Sequence, residues 1–237
     1  MIERTVEYQH EGTTLAGLLC HSAKTVGPRP AVLVAHAWAG RSPFEDAKAR
    51  LLAELGYVGF ALDVYGQGVL GDSAETNLAL MTPFLQDRAR LQSRLQAALT
   101  ALRAQPEVDS TRVAAIGYCF GGLCVLDLAR SGTTLQGVVS FHGALGRPGN
   151  IQSAPITAKV LALHGHDDPL VPMDSVLAMQ TEFSQAGADW QLHTYGKTLH
   201  SFTNPEANEP ALGLQYNAQA DRRSWASARD FLAEVLA

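Results

Sequence analysis

The chain has 237 residues, of which 46% are hydrophobic and 17% are charged, and its formal net charge is −5. A chain of this size and hydrophobicity can bury one large core, so we expect a single domain over residues 1–237. The acidic balance without a basic block argues against a nucleic-acid partner, and the lack of an apolar run of about 18–20 residues argues against a membrane protein.

The cysteines and the N-terminus indicate a cellular setting. Cys20, Cys119 and Cys124 form no CxxC pair and leave an odd thiol over, which is atypical of a disulfide framework or a thiolate metal site. The first 15 residues contain no apolar signal segment. The sequence therefore predicts a cytoplasmic protein without metal or cofactor, present as a monomer or a small homo-oligomer.

The N-terminal part of the chain alternates between strand and helix patterns. An antiparallel hairpin is predicted by two strand-like runs, RTVEYQH and TTLAGLLCH, on either side of the pair Glu11-Gly12. The run AVLVAHA after Pro30 predicts a strand buried on both faces. SPFEDAKARLLAEL predicts a helix with Ser42 as N-cap, Pro43 at its first position and Glu45 at its third. YVGFALDVYG predicts the next strand.

The alternation continues to the C-terminus. Residues from about Glu75 to Gln105 have a helical pattern that we expect to break near Pro83. The strand RVAAIG, the helix GLCVLDLAR and the strands LQGVVSFHG and KVLALHG follow. The remaining predicted elements are the helix Asp174 to Gln185, the strand DWQLHTYG and a last helix from about Asn217 to Leu236.

This order of elements predicts the fold class and the place of the functional site. Strands that alternate with helices indicate an α/β protein with a mostly parallel central sheet, helices on both faces and an N-terminal antiparallel hairpin. Functional residues of such sheets follow the carboxyl ends of the strands. A glycine-rich segment around residues 64–84 follows one strand end, and we expect it to form a cap-like loop over the site.

The sequence GYCFG, residues 117–121, marks the corner between a predicted strand and a predicted helix. It fits G-x-nucleophile-x-G, in which small flanking residues let strand and helix close around a strained central residue. A helix N-terminus favours an anion, so the corner favours the thiolate form of Cys119. The alternative is a buried structural cysteine on an ordinary turn, which is our expectation for Cys124.

A cysteine nucleophile needs a base and a group that orients the base. The chain order nucleophile, acid, histidine points to the turn HGHDDPLVP, where Asp168 is favoured and Asp167 is the fallback. His200 lies in GKTLHSFTNP, in the loop after the last predicted strand, and is the candidate base. The other histidines precede Cys119, crowd the acid's turn or lie within a predicted strand.

With these residues, the chain resembles the dienelactone hydrolase family of α/β-hydrolases. The resemblance extends over nearly the whole chain and rests on GYCFGG, HGHDDPLVP, HSF at residues 200–202 and LGYVGFALDVYG. It implies the triad Cys119, Asp168 and His200, and an oxyanion hole formed by the backbone N–H groups of Trp38 and Phe120. It also implies an α/β-hydrolase fold and cofactor-free hydrolysis of esters or lactones through a thioester.

Two positions depart from the family pattern. Ala37 stands where members of the family carry a glutamate that holds the resting cysteine neutral, so we expect a resting thiolate of Cys119 paired with protonated His200. The family's arginine for a substrate carboxylate is matched by Asn204 or a neighbour, and Arg88 is either a replacement or a solvated helix arginine. Dienelactone itself is therefore doubtful as the substrate.

Several side chains follow predicted strand ends and are candidates for substrate contact. These are Trp38, Phe120 and the four further candidates His36, Tyr65, His142 and Phe202. Each of them can equally serve ordinary packing, and His36 can instead be a core histidine. The expected partner is a small, partly apolar ester or lactone.

Three alternatives remain open from the sequence. A thioesterase would use the same fold and residues, and a catalytically silent binding or regulatory protein is compatible with the alanine at position 37. A metal hydrolase is less favoured because the histidines and acids show no HExxH-type spacing.

Overall fold

The structure is a computed structural model and describes residues 1–24, 26–151 and 154–237. Within these residues, the centre of the molecule is one sheet of eight strands. The strands are β1 (Ile2–His10), β2 (Thr13–His21), β3 (Arg29–Ala35), β4 (Val58–Ala61), β5 (Val108–Tyr118), β6 (Gly137–Phe141), β7 (Lys159–Gly165) and β8 (Trp190–Tyr195).

The strand order across the sheet is β1-β2-β4-β3-β5-β6-β7-β8. β1 pairs antiparallel with β2, and β2 pairs antiparallel with β4, whereas the pairs from β4 to β8 are parallel. The predicted α/β class, the mostly parallel sheet and the N-terminal hairpin are thereby confirmed. The carboxyl ends of β3, β5, β6 and β7 lie at one edge of the sheet, where the candidate residues follow.

Helices cover the two faces of this sheet. The helices are α1 (Pro43–Glu54), α2 (Ala74–Gln86), α3 (Arg88–Arg103), α4 (Phe120–Arg130), α5 (Met173–Gln185) and α6 (Ala218–Val235). Successive residues of β3 point to opposite faces and enter two separate buried clusters. Leu33 belongs to the cluster that includes residues of α3, α4 and α5, and Val34 belongs to the cluster that includes residues of α1 and α6.

The start of α1 is the capping box that its sequence predicts. The Ser42 side chain accepts the N–H of Phe44 at 3.2 Å, and the Glu45 carboxylate accepts the N–H of Ser42 at 3.0 Å. These bonds satisfy backbone donors that have no partner inside the helix. Glu45 is buried, and this position brings it next to the loop that follows β3.

The strand β4 is shorter than predicted. It ends at Ala61, although burial continues as far as Gly66. The carboxylate of Asp63 accepts the N–H groups of Tyr65 and Gly66 at 2.9 and 3.0 Å, and these bonds direct the backbone out of the sheet. The strand therefore ends at Ala61, five residues before the end of the predicted strand at Gly66.

The long helical stretch breaks at Asp87 and not near Pro83, which lies inside α2. Asp87 donates its N–H to the carbonyl of Pro83 at 3.0 Å, and its carboxylate accepts the N–H of Arg90 at 3.0 Å. The same residue thus ends α2 and caps α3. The cap-like segment over residues 64–84 consists of a loop followed by most of α2, so its second half is not a loop.

None of the helices in the described segments combines the length and the hydropathy that a bilayer-spanning helix requires.

Candidate active site

Cys119 lies at the corner between β5 and α4, with a backbone φ of 54°. A side chain there is strained, and glycines on both sides make the corner possible. A Cβ atom on Gly117 would lie 2.0 Å from the carbonyl oxygen of Gly121, and one on Gly121 would lie 2.1 Å from that of Ala35. Strand and helix therefore approach too closely for a side chain at position 117 or 121.

His200 and Asp168 meet beside this corner. Nδ1 of His200 lies 2.7 Å from Oδ2 of Asp168, and both residues are buried. The other carboxylate oxygen of Asp168 accepts the N–H groups of Leu170 and Val171 at 2.9 and 3.2 Å, which fixes its direction. Asp167, the fallback acid of the sequence analysis, is exposed to solvent. The structure brings Asp168, and not Asp167, to the histidine.

The charge state of His200 follows from its neighbours. Burial lowers the pKa of the imidazole, but the charge of the Cys119 sulfur, hydrogen bonds to Asp168 and Cys119, and the charge of Asp168 outweigh burial and raise the pKa to about 10. His200 is therefore a cation near neutral pH when it faces a thiolate.

The loop after β3 carries Trp38, and buried polar groups hold this loop in place. His36 uses both ring nitrogens: Nδ1 contacts the carbonyl oxygen of Ala37 at 2.7 Å, and Nε2 accepts the N–H of Val64 at 3.1 Å. Tyr65 donates its hydroxyl to the carbonyl oxygen of Trp38 at 2.9 Å. His36 and Tyr65 thus position the loop whose N–H group is the candidate oxyanion donor.

The second candidate donor is the N–H group of Phe120. Phe120 is the first residue of α4 and directly follows Cys119. The first N–H groups of a helix have no carbonyl partner inside that helix, and the positive end of the helix dipole adds to their attraction for an anion. Cys119 is fixed in turn because its N–H donates to the carbonyl oxygen of Phe141 on β6 at 3.0 Å.

Two recesses open beside Cys119. The first, which we call the apolar groove, has a volume of about 370 Å³ and is lined by Trp38, Leu78, Met81, Cys119, Leu170, His200, Ser201, Leu212 and Leu214. The second, which we call the polar cavity, has a volume of about 130 Å³ and is lined by Ala37, Trp38, Ala39, Gly40, Ser42, Phe44, Glu45, Tyr118, Cys119, His142, Ser201, Thr203 and Asn204.

Of the four further candidates for substrate contact, the structure places only His142 on a recess. His142 lines the polar cavity, where its Nε2 lies 2.8 Å from the hydroxyl of Thr203. Burial, together with the charge of His200, lowers the pKa of His142 well below its ordinary value, so its ring is neutral. His36 and Phe202 are fully buried, and Tyr65 lies behind the loop. These three side chains pack and position rather than face a recess.

Arg88 is neither a solvated arginine nor a residue of the site. It is buried, and its guanidinium binds both carboxylate oxygens of Asp127 at 2.5 and 2.7 Å. Asp127 also contacts the buried Arg130. Both alternatives for Arg88 are therefore wrong, because the arginine completes a buried ion network on α3 and α4. Asn204 does lie at the polar cavity.

The sequence analysis missed the segment that supports His200 from behind. Residues Asn208–Glu209 and Leu214–Gln215 form a two-stranded ladder around a short 3-10 helix, Pro210–Leu212. The N–H of His200 donates to the carbonyl oxygen of Gly213 at 2.9 Å, and the carbonyl oxygen of His200 accepts the N–H of Gln215 at 3.0 Å. The sequence of this segment shows neither strand nor helix periodicity. Its one indication of a turn is Gly213 between Leu212 and Leu214.

We expect Gly213→Ala to lower kcat/KM for an ester roughly tenfold and to destabilise the fold by more than about 1–2 kcal/mol. Gly213 has a φ of 79°, and a Cβ atom there would lie 2.3 Å from Pro169, the residue after Asp168. The control is Gly187→Ala, where φ is 68° and no atom lies within 4 Å of the new Cβ.

The control substitution carries the backbone strain without the clash. Gly187→Ala is expected to lose about 1–2 kcal/mol of stability, measured by urea unfolding, and to keep its activity. Equal activities of the two variants would show that Pro169 and Gly213 do not position the acid and the base.

Comparisons with known proteins identify the family. The model of the dienelactone hydrolase family matches residues 15–236. The crystal structure of a dienelactone hydrolase-like promiscuous phosphotriesterase, P91 from metagenomic libraries, superimposes with a TM-score of 0.93 at 38% identity, over 100% of this chain and 99% of that one.

Curated proteins give the same result. The uncharacterised protein K02A2.1 of Caenorhabditis elegans is 38% identical over 154 residues, which are 62% of this chain and 96% of that protein. A putative carboxymethylenebutenolidase of Synechocystis is 25% identical over 236 residues, which are 93% of this chain and 92% of that protein. The chain therefore belongs to the dienelactone hydrolase family and is a hydrolase of ester or lactone bonds.

Proposed function

We propose that the protein hydrolyses carboxylic esters or lactones with Cys119 as nucleophile, through a thioester acyl-enzyme. The observation that supports this proposal is the position of His200, which lines the same groove as Cys119 and lies 2.7 Å from Asp168 on its other side. A candidate nucleophile, a candidate base and a carboxylate that orients the base are thus gathered at one edge of the sheet. The proposed substrate is a small molecule.

The first half of the reaction forms the thioester. The Cys119 thiolate attacks the carbonyl carbon, and the electron pair of the carbonyl bond moves to its oxygen. The N–H groups of Trp38 and Phe120 stabilise this oxyanion, and one such donor typically lowers the barrier by about 3–4 kcal/mol. The C–O bond then breaks, and His200 gives its proton to the departing alcohol oxygen.

The second half hydrolyses the thioester. His200, now neutral, takes a proton from a water molecule, whose oxygen attacks the thioester carbonyl. The tetrahedral intermediate collapses and expels the Cys119 thiolate, which restores the ion pair with the protonated His200. Asp168 remains ionised throughout and holds the imidazole in the required orientation.

We propose further that Cys119 rests as a thiolate. Ala37 carries no group that could accept a proton from the thiol or hold it neutral. The nearby carboxylate of Glu45 does not replace one, because it accepts the N–H of Ala37 at 3.1 Å and the N–H and hydroxyl of Ser42 at 3.0 and 2.7 Å. The partner left for Cys119 is the cation of His200.

Alkylation tests both proposals. We expect iodoacetamide to modify Cys119 at pH 6 at least about tenfold faster than the thiols of the urea-unfolded chain, because a free thiol is almost entirely protonated there. The loss of ester hydrolysis should be proportional to the fraction of Cys119 that is modified. Because the pKa of His200 is raised to about 10, its imidazolium persists at neutral pH and loses its proton as pH rises through about 10.

The internal control is provided by the other cysteines. Cys20 and Cys124 are buried in the fold and become reactive only on unfolding. Modification of Cys119 that is slower than that of the unfolded chain at pH 6 would contradict the resting thiolate, and full activity after modification would contradict the nucleophile.

A second candidate activity is phosphotriester hydrolysis. It is favoured by the 38% identity, over the whole chain, to the structure described as a promiscuous phosphotriesterase. A phosphotriester carries no negative charge, and an aryl leaving group such as that of paraoxon suits the apolar groove beside Cys119. The alkylation experiment includes paraoxon as a second substrate. If the same site hydrolyses phosphotriesters, paraoxon hydrolysis and ester hydrolysis must be lost together as Cys119 is modified.

A further inference from the structure

Cys119 lies between two recesses of different size and chemistry, and each recess can hold one half of an ester substrate. The geometry points to an uncharged ester of a short acyl group with a larger apolar alcohol: the alcohol occupies the apolar groove and the acyl group occupies the polar cavity. This inference rests on the proposed function, since it assigns the two halves of the ester that Cys119 attacks.

The direction of the substrate follows from the position of His200. His200 lines the apolar groove and is absent from the described residues that line the polar cavity. The alcohol oxygen must lie near this imidazole, because it receives the proton of His200 when the C–O bond breaks. The alcohol therefore leaves into the groove, and the acyl group stays on Cys119 facing the other recess.

The apolar groove has the surface that a hydrophobic alcohol requires. Leu78 from α2 and Leu212 from the 3-10 helix line it, although their side chains are 49% and 61% exposed. These leucines belong to segments far apart in the chain, yet they converge on the sulfur. A converging set of exposed apolar side chains is typical of a binding surface.

The polar cavity sets the limit for the acyl group. Its volume of about 130 Å³ compares with about 370 Å³ for the groove. The partly exposed side chains of Ser42, Ser201 and Asn204 contribute polar groups to its wall. A long alkyl chain would remove water from these groups without replacing its hydrogen bonds. A short acyl group such as acetyl avoids this cost.

Charge decides the ionic class of the substrate. No lysine or arginine is present among the described residues that line either recess. The wall of the polar cavity contains the carboxylate of Glu45, and Asn204 offers only an amide. A carboxylate on the acyl group would meet neither a lysine nor an arginine in the described lining of the polar cavity and would lie near the carboxylate of Glu45, while the His200 cation lines the other recess. This arrangement disfavours an anionic acyl group.

Two isomeric esters test the assignment. Hexyl acetate and ethyl hexanoate have the same atoms and similar hydrophobicity, but the long chain lies on the alcohol in one and on the acyl group in the other. We expect kcat/KM, measured in a pH-stat, to be at least about tenfold higher for hexyl acetate. Equal values, or a preference for ethyl hexanoate, would overturn the inference.

Variants of the groove give the second readout. Leu78→Ala and Leu212→Ala should each lower the ratio of kcat/KM for hexyl acetate to that for ethyl hexanoate roughly threefold to tenfold. Each substitution removes apolar surface that the hexyl chain would contact. The matched control is Leu177→Ala on α5, a leucine that is 57% exposed and outside both recesses. An equal change in the control variant would overturn the role of the groove.

The same measurements separate this inference from the proposed function. If Cys119→Ala hydrolyses both isomers as fast as the wild type, the cysteine mechanism fails and the assignment falls with it. If hydrolysis depends on Cys119 but the isomers are equivalent, only the assignment of the two recesses fails. A ratio within one preparation is insensitive to partial unfolding of a variant.

Discussion

Replacing Cys119 by alanine is expected to lower kcat/KM for p-nitrophenyl acetate by roughly 10³- to 10⁶-fold. The substitution removes the sulfur of the proposed nucleophile, while the candidate oxyanion donors of Trp38 and Phe120 and the two recesses remain. The residual rate then reports what binding and oxyanion stabilisation achieve alone. Steady-state hydrolysis, monitored by release of p-nitrophenolate, measures the effect.

Mass spectrometry of the quenched enzyme gives the complementary result. The wild-type protein mixed with p-nitrophenyl acetate and quenched in acid should carry one acetyl group on the peptide that contains Cys119. Cys124→Ala is the matched control, because Cys124 lies one turn further along α4, is fully buried and takes no part in the proposed chemistry. Unchanged turnover in Cys119→Ala would remove the cysteine mechanism.

The fold and the chain positions of the triad candidates could be predicted because local rules specify them. Alternating buried strands and capped helices leave few topologies, and the corner at Cys119 needs glycine at positions 117 and 121 for reasons of contact distance alone. Chain order then narrowed the acid and the base to one turn and one loop. These inferences require no knowledge of long-range packing.

The lining of the site could not be predicted in the same way. Leu78 and Leu212 are ordinary leucines in sequence, and only the tertiary fold places them beside Cys119. For Arg88 the sequence suggested either exposure to solvent or contact with the substrate. The fold instead buries its side chain in an ion pair with Asp127. Substrate specificity thus depends on contacts between distant segments, and the hydrophobic periodicity of a sequence does not predict such contacts.

Asp168→Asn is expected to lower kcat/KM by roughly 10²- to 10⁴-fold with little change in the fold. Asparagine keeps one carbonyl oxygen, which can still accept the N–H groups of Leu170 and Val171, now bound by Oδ1 of Asp168. Its amide group then faces Nδ1 of His200, where it donates instead of accepting. The imidazole loses the carboxylate that orients it and stabilises its cation.

The pH profile distinguishes this electrostatic role from a purely structural one. Asp168 contributes to the raised pKa of His200, so its loss should lower that pKa and move the high-pH decline of kcat/KM from near 10 to lower pH. Asp167→Asn is the control, because its exposed side chain lies on the same turn without facing the histidine. An unchanged high-pH limb in Asp168→Asn would mean that the carboxylate does not hold the charge of His200, and the ion pair with Cys119 would then need another explanation.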